Sequence, residues 1–160
     1  MKAKIFLLFL AVLLIGCSSD SVKNGDTVKV EYTGSYENGE IFDTSVGKDP
    51  LTVNVGKNEV IKGFEKALIG MKVNEEKEVT IAPAEGYGVS DPKLIVEADK
   101  NKMPANVILE VGSLIYAVDS LGNKIPATIT EIKNDKVILD LNHPLAGKTL
   151  KFKIKVIKIN

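Results

Sequence analysis

Apolar and polar residues alternate along several short segments of the chain, at positions 28–33, 51–55, 77–82 and 150–156. A period of two predicts β-strands with one buried and one solvated face. The last segment is the clearest, because its apolar residues alternate with Lys151, Lys153 and Lys155. This lysine row favours a solvated sheet face over a binding stripe.

One segment near the middle has a helical period instead. Its apolar residues fall on a single helix face, and they are Val60, Ile61, Phe64 and Leu68. Asn58 is the expected N-cap of this helix and Gly70 its expected end. Upstream, Asn38-Gly39 predicts a tight β-hairpin, since both residues tolerate positive φ.

The pattern of apolar and polar residues changes between residues 90 and 150. Residues 90–106 are polar and broken by prolines, and strand-like runs follow at 107–118, 125–132 and 137–141. We therefore predict an α+β fold in which an antiparallel sheet packs on one short helix. A small β-rich domain (91–140) is inserted into a first domain (25–90 and 141–160), and the last strand completes the first sheet.

The first residues of the sequence predict an export signal. Lys2 and Lys4 precede an unbroken apolar run of eleven residues at 5–15, which is typical of a secretory signal peptide. Gly16-Cys17 resembles the lipobox of prokaryotic lipoproteins, in which the cysteine is lipidated. We expect a signal peptide (1–16), a lipid on Cys17, a tether (17–24) and a membrane-anchored protein outside the cytoplasm. A plain signal peptide or an uncleaved anchor is the alternative.

Composition excludes several classes of protein. The formal charge is zero, with 21 basic and 21 acidic residues, and arginine is absent, which argues against binding to nucleic acid. One Cys and one His build neither an internal disulfide nor a usual zinc site. So few of these side chains argue against thiol proteases, zinc enzymes and Ser-His-Asp hydrolases.

Five motifs, in order, resemble those of FKBP-type peptidyl-prolyl cis-trans isomerases. They are VKVEYTG at 28–34, GEIFDTS at 39–45, GKNEVIKGFEKALIGM at 56–71, PAEGYG at 83–88 and NHPLAGK at 142–148. The last resembles the SlyD-like branch, in which an insert-in-flap domain replaces a short loop. The resemblance implies an FKBP-like first domain with the β-rich insert.

The resemblance also implies a site that binds proline-containing chains. In its catalytic part, Tyr87 donates its hydroxyl to a substrate carbonyl, Asp43 orients polar groups at the rim, and Phe42 adds an apolar wall. Phe64 forms the floor under the proline ring, and Val60-Ile61 offers a backbone group to the peptide. The substrate-binding residues implied are Tyr32, Leu51, Val60, Ile61, Phe64 and Phe152.

Ordinary structural roles compete with this interpretation. Phe42, Phe64 and Phe152 at these spacings also suit a core, Asp43 suits a turn cap, and Tyr32 suits a packing residue with its hydroxyl on the backbone. Many single-domain relatives have Trp at the position of Phe64, so we expect weaker binding of bulky macrocyclic inhibitors here.

The expected function is peptidyl-prolyl isomerisation of exported proteins by a monomer, with the insert as a chaperone module for unfolded chains. No cofactor is implied, and no metal, because the His-rich segment of some SlyD-like proteins has no counterpart in the sequence. His143 next to Pro144 is expected to be a structural junction. The alternative is a non-catalytic FKBP-fold chaperone or peptide-binding lipoprotein.

Overall fold

The computed structural model describes residues 21–103, 108–118 and 121–160. The predicted signal peptide and the predicted lipid attachment at Cys17 lie outside these ranges. Within them, no helix has the length and apolar character needed to cross a membrane. Residues 21–24 belong to the segment predicted as a tether, but Val22 is buried and exchanges backbone hydrogen bonds with Gly70 and Met71. This part of the segment therefore packs on the folded chain at Gly70 and Met71.

Apart from three short 3₁₀ turns, nine strands and one α-helix make up the regular structure of the described residues. They are β1 (Thr27–Tyr36), β2 (Ile41–Thr44), β3 (Leu51–Asn54), α1 (Lys62–Leu68), β4 (Glu76–Ile81), β5 (Ile95–Asp99), β6 (Leu114–Val118), β7 (Lys124–Ile132), β8 (Lys136–Asp140) and β9 (Leu150–Ile159). The first sheet has the order β2-β1-β9-β4, with β3 pairing beside β2 on the same edge of β1. All its pairs are antiparallel, so the expected antiparallel sheet with one helix is confirmed.

The first sheet buries one face against α1. Along β9 the residues Leu150, Phe152, Ile154 and Val156 are buried in the core, whereas Lys151 and Lys153 are exposed on the other face. Lys153 and Lys155 both pair with Glu76 of the neighbouring β4, at 3.1 and 3.5 Å. The lysine row is a solvated face with cross-strand ion pairs, as the alternation predicts.

The helix begins later than the sequence predicts. Its first residue is Lys62, its N-cap is Ile61 without a side-chain capping bond, and Asn58 lies upstream with φ +55°. The predicted N-cap at Asn58 is wrong because Val60 and Ile61 are non-helical and line a cavity. Gly70, with φ +83°, follows the helix end and confirms the predicted stop.

A second antiparallel sheet, of order β5-β8-β7-β6, forms between β4 and β9 in the chain. Its buried side chains make a separate cluster, of Ile115, Ala127, Ile129, Val137 and Leu139. All four strands lie within residues 91–140, and the division of the chain into two domains stays a prediction.

Two details of this sheet differ from the sequence prediction. β5 lies in a segment for which the sequence predicts no strand. The pattern misses it because β5 is a short and largely exposed edge strand, paired with β8. The strand predicted at 107–118 begins at Leu114 within the described residues, since a turn at Gly112, with φ +92°, precedes it.

Candidate active site

A cavity of about 450 Å³ opens between the concave face of the first sheet, the N-terminal end of α1 and the loop after β4. The nine pocket residues predicted from the resemblance all line it: Tyr32, Phe42, Asp43, Leu51, Val60, Ile61, Phe64, Tyr87 and Phe152. Asn58 and Glu59 complete the lining. Such a volume, lined by aromatic side chains and few polar groups, is typical of a ligand site.

Three aromatic side chains from different elements form the inner wall. Phe64 of α1 meets Phe152 of β9 edge to face, with ring centroids 5.4 Å apart at 86°. Tyr32 of β1 meets Phe64 in the same way, at 5.9 Å and 88°. This arrangement is the one that aromatic quadrupoles favour, and it places the three rings at fixed angles around the cavity.

Gly34 of β1 makes room for the rings of Phe42 and Phe152, which both line the cavity. It pairs with Phe152 across the strands. A Cβ at Gly34 would lie 2.7 Å from Cζ of Phe42 and 2.9 Å from Cε1 of Phe152. Since real Cβ contacts are longer than this, any side chain at this position would displace the rings.

A polar pair lies at the rim. The Tyr32 hydroxyl donates a hydrogen bond to Oδ2 of Asp43 at 2.5 Å, and Oδ1 of Asp43 accepts the N–H of Thr44 at 2.8 Å. The hydroxyl bond differs from the alternative in which Tyr32 bonds to the backbone. Burial, and then the hydrogen bond and charge of Asp43, raise the pKa of Tyr32 to about 12. Tyr32 therefore stays neutral and donating at physiological pH.

The backbone beneath this pair is also locked. Tyr32 donates its N–H to Oγ of the buried Ser45 at 2.9 Å, and the N–H of Ser45 donates to the carbonyl of Tyr32 at 3.0 Å. These bonds fix the backbone of β1 at Tyr32 to the residue that directly follows β2, next to the segment that carries Asp43.

Tyr87 also stands at the rim, in the loop after the 3₁₀ turn Pro83–Glu85. Its side chain is 38% exposed, and its ring stacks on that of His143 with centroids 4.2 Å apart and planes 9° from parallel. Burial, and then the negative charge of Asp43, raise the pKa of Tyr87. Within the described residues its hydroxyl has no hydrogen-bond partner, so it is available to an incoming acceptor.

Glu59 is a rim residue that the motifs did not single out. Its carboxylate accepts the backbone N–H of Asn54 at 3.0 Å and the Asn54 side-chain amide at 2.9 Å. The backbone bond and then the side-chain bond lower the pKa of Glu59. Nothing in the sequence marks this contact, because it depends on β3 lying beside the segment that leads into α1.

The cavity combines apolar walls with hydroxyl donors and fixed carboxylates. In the described ranges, no group of three or more His, Cys, Asp or Glu side chains is arranged to hold a metal ion. The chemistry that this set supports is binding and polarisation of an uncharged polar group, such as an amide carbonyl, next to an apolar ring.

Comparison with known proteins gives a consistent result. The family model described as FKBP-type peptidyl-prolyl cis-trans isomerase matches residues 18–157. The chain is 43% identical over 150 residues to a short-type peptidyl-prolyl cis-trans isomerase of Methanocaldococcus jannaschii, with 84% of this chain and 92% of that protein covered. It is 33% identical over 138 residues to the FKBP-type isomerase SlyD of Helicobacter pylori, covering 86% and 74%. With the FKBP-type 16 kDa isomerase of Escherichia coli the identity is 29% over 143 residues, covering 89% and 96%.

Proposed function

This chain belongs to the FKBP-type peptidyl-prolyl cis-trans isomerase family, and we propose that the cavity lined by Tyr32, Phe64 and Tyr87 is where it rotates Xaa-Pro bonds. Its homologues are enzymes of this type, including SlyD proteins. The observation that carries the proposal is a cavity that unites apolar rings with a tyrosine hydroxyl that has no hydrogen-bond partner among the described residues.

Rotation about an Xaa-Pro bond requires no nucleophile, metal or redox group. Amide resonance creates a barrier of roughly 18–20 kcal/mol, and the unaided reaction takes on the order of tens to hundreds of seconds. A catalyst therefore needs only to bind the twisted amide more tightly than either planar isomer.

The apolar walls favour the twisted amide in this account. Phe64 and Phe152 receive the proline ring and exclude water from the bond being rotated. Because twisting removes amide resonance, it reduces charge separation across the C–N bond. A dry, apolar surface therefore disfavours the planar amide more than the twisted one.

Two hydrogen-bond donors, the Tyr87 hydroxyl and a backbone N–H, hold the peptide while its Xaa-Pro bond rotates. The Tyr87 hydroxyl donates to a substrate carbonyl and fixes one side of the amide. The carbonyl of Ile61 already accepts the N–H groups of Phe64 and Glu65. The backbone group that this segment offers to a peptide is therefore an N–H.

Asp43 acts on the rim through its charge. One of its oxygens is held by Tyr32 and the other by the N–H of Thr44, so the carboxylate has a fixed orientation. Its negative charge opposes ionisation of both Tyr32 and Tyr87. We therefore assign to Asp43 the role of orienting polar groups at the rim, the Tyr32 hydroxyl among them.

Binding at this cavity can be mapped directly. A tetrapeptide containing Ala-Pro, added to the ¹⁵N-labelled chain, should shift the amide signals of Tyr32, Ile61 and Tyr87, whereas the matched Ala-Ala peptide should not. Shifts confined to the second sheet would contradict the proposed site. Binding at the cavity without faster cis-trans exchange would favour the alternative, a non-catalytic FKBP-fold chaperone.

We extend the proposal to the second sheet as a module that binds unfolded chains. Its edge strand β6 carries exposed apolar side chains at alternate positions, Leu114 (56%), Tyr116 (65%) and Val118 (65%). Neighbouring turns add the exposed Ile108, Val111 and Leu121. Exposed apolar side chains in this number support a role in binding apolar segments of other chains.

A surface variant tests this role without deleting the sheet. Replacing Leu114, Tyr116 and Val118 together by Ser should slow catalysed refolding of a proline-limited protein severalfold, because the local concentration of client is lost. Turnover of a tetrapeptide should stay unchanged. Equal losses in both assays would contradict a separate client-binding surface.

We also propose that the protein works outside the cytoplasm, anchored by a lipid on Cys17. The support is the signal-like run at 5–15 followed by Gly16-Cys17. In a bacterial host, the wild-type chain should incorporate a labelled fatty acid and sediment with membranes, and Cys17→Ser should abolish both. Labelling that persists in Cys17→Ser would overturn the assignment.

A further inference from the structure

We infer that His143 is a positioning residue for Tyr87: its imidazole ring holds the tyrosine ring at the rim so that the hydroxyl faces the cavity. The inference rests on the proposed function, in which Tyr87 donates to the substrate carbonyl. It assigns to His143 a role beyond the structural junction that the sequence predicts.

The two rings are in direct contact. Their centroids are 4.2 Å apart and their planes are within 9° of parallel. Tyr87 lines the cavity, whereas His143 does not. The histidine therefore supports the tyrosine from the side away from the cavity, and it acts on substrate only through that ring.

Tyr87 needs such a support because its own loop gives little. The residue is 38% exposed and lies between Gly86 and Gly88, neither of which has a side chain that could pack on it. In the described part of the chain, His143 provides the ring contact of Tyr87. Without this stack, the tyrosine side chain is free to populate rotamers that turn the hydroxyl into solvent.

His143 is itself held in place. Its Nδ1 accepts the N–H of Leu145 at 3.1 Å, and its carbonyl accepts the N–H of Ala146 at 2.8 Å. Because Nδ1 accepts a hydrogen bond, the imidazole proton lies on Nε2 in this arrangement. The ring orientation therefore follows from the turn that contains it.

That turn is fixed to the Tyr87 loop by the backbone and by one amide side chain. Gly147 donates its N–H to the carbonyl of Gly88 at 2.8 Å. The side-chain amide of Asn142 accepts the N–H of Asp91 at 2.9 Å and donates to the carbonyl of Asp91 at 3.1 Å. The segment that leaves the first sheet after β4 is thus joined to the segment that returns to this sheet before β9, directly beside Tyr87.

Three substitutions of His143 distinguish the effect of its ring from the effect of its hydrogen bond to Leu145. His143→Ala removes both, His143→Asn removes the ring but keeps an acceptor for Leu145, and His143→Phe keeps a ring without the acceptor. We expect kcat/KM for an Ala-Pro tetrapeptide to fall about two- to tenfold in the Ala and Asn variants. His143→Phe should stay within about twofold of wild type, since the stack is kept.

The Tyr87→Phe background distinguishes positioning from general damage. With the hydroxyl absent, His143→Ala should cause no further loss, because the histidine acts through that hydroxyl. Wild-type kcat/KM in His143→Ala, or an equal loss in both backgrounds, would overturn the inference.

A spectroscopic readout keeps the inference testable apart from turnover. Scalar couplings of Tyr87 should report one dominant χ1 rotamer in wild type and averaging in His143→Ala, and unchanged couplings would overturn the positioning role. If the wild-type chain does not accelerate exchange, the proposed function fails, and the couplings still decide whether His143 positions the ring.

Discussion

The hydroxyl of Tyr32 and the carboxylate of Asp43 are joined by a 2.5 Å hydrogen bond across β1 and β2. A charged acceptor and a partly buried donor make this bond stronger than an ordinary neutral one. It sets the polarity of the rim, because it keeps a neutral hydroxyl and a fixed anion side by side at the mouth of an apolar cavity.

The pH dependence of this pair is the first prediction. The pKa of Tyr32 is raised from 10.0 to about 12, so the folded state holds this proton more tightly than the unfolded chain does. The corresponding stabilisation is complete below pH 10 and is lost as pH rises through 12. In Asp43→Asn, NMR titration of the Tyr32 ring should give a pKa below 12 but above 10, because burial remains. A pKa unaffected by this substitution would contradict the assigned pairing.

Gly34 should be intolerant of even one methyl group. In Gly34→Ala, the new Cβ meets Phe42 and Phe152, so we expect the free energy of unfolding to fall by about 1–3 kcal/mol. Since a ring displacement of about 1 Å can cost on the order of a hundredfold in rate, kcat/KM should fall at least tenfold. Ser35→Ala, at the next position of β1, is the control and should keep its activity. Normal turnover in Gly34→Ala would show that the ring positions do not matter.

The two buried clusters should respond separately to core truncation. Ile154 and Ile129 are both fully buried, the first beside Tyr32 in the first sheet and the second in the second sheet. Either change to Ala should cost about 2–5 kcal/mol in its own cluster. Tetrapeptide turnover should fall in Ile154→Ala and stay within about twofold of wild type in Ile129→Ala. Equal loss of turnover in the two variants would mean that the clusters unfold as one unit.

Asn142 should control local opening between the sheets. Asn142→Ala removes both hydrogen bonds to Asp91, and we expect hydrogen exchange at the Asp91 amide to accelerate by about ten- to a hundredfold. Asn38→Ala, which removes a turn bond to Glu40, serves as the control. Unchanged protection of Asp91 would show that the amide bridge does not hold the two connections together.

Local pattern was enough to predict four of the five strands of the first sheet, all but β2. Alternation over 28–33 and 150–156 located β1 and β9, because each strand has one buried and one solvated face. The pattern failed at Val60 and Ile61, which have a helical spacing but precede α1. Their side chains line the cavity. The spacing of apolar residues along the sequence cannot distinguish residues that line a cavity from residues on the buried face of a helix.

The family motifs predicted the site residues that they contain. They did not predict the contacts that residues from distant segments make with one another in the site. The family motifs named Tyr87, but its stack on His143 joins residues 56 positions apart. Neither residue type nor spacing indicates that contact. The bond from Asn54 to Glu59 is shorter in range, yet it also depends on how β3 meets the segment before α1.

Cis-trans exchange in an Ala-Pro tetrapeptide, followed by NMR exchange spectroscopy, tests the central claim most directly. We predict that the wild-type chain accelerates exchange well above the uncatalysed rate. Tyr87→Phe should lower kcat/KM by about tenfold, the value of one lost hydrogen bond to the substrate. Exchange at the uncatalysed rate with the wild-type chain, under conditions in which the peptide binds the cavity, would contradict the account and leave a peptide-binding protein without isomerase activity.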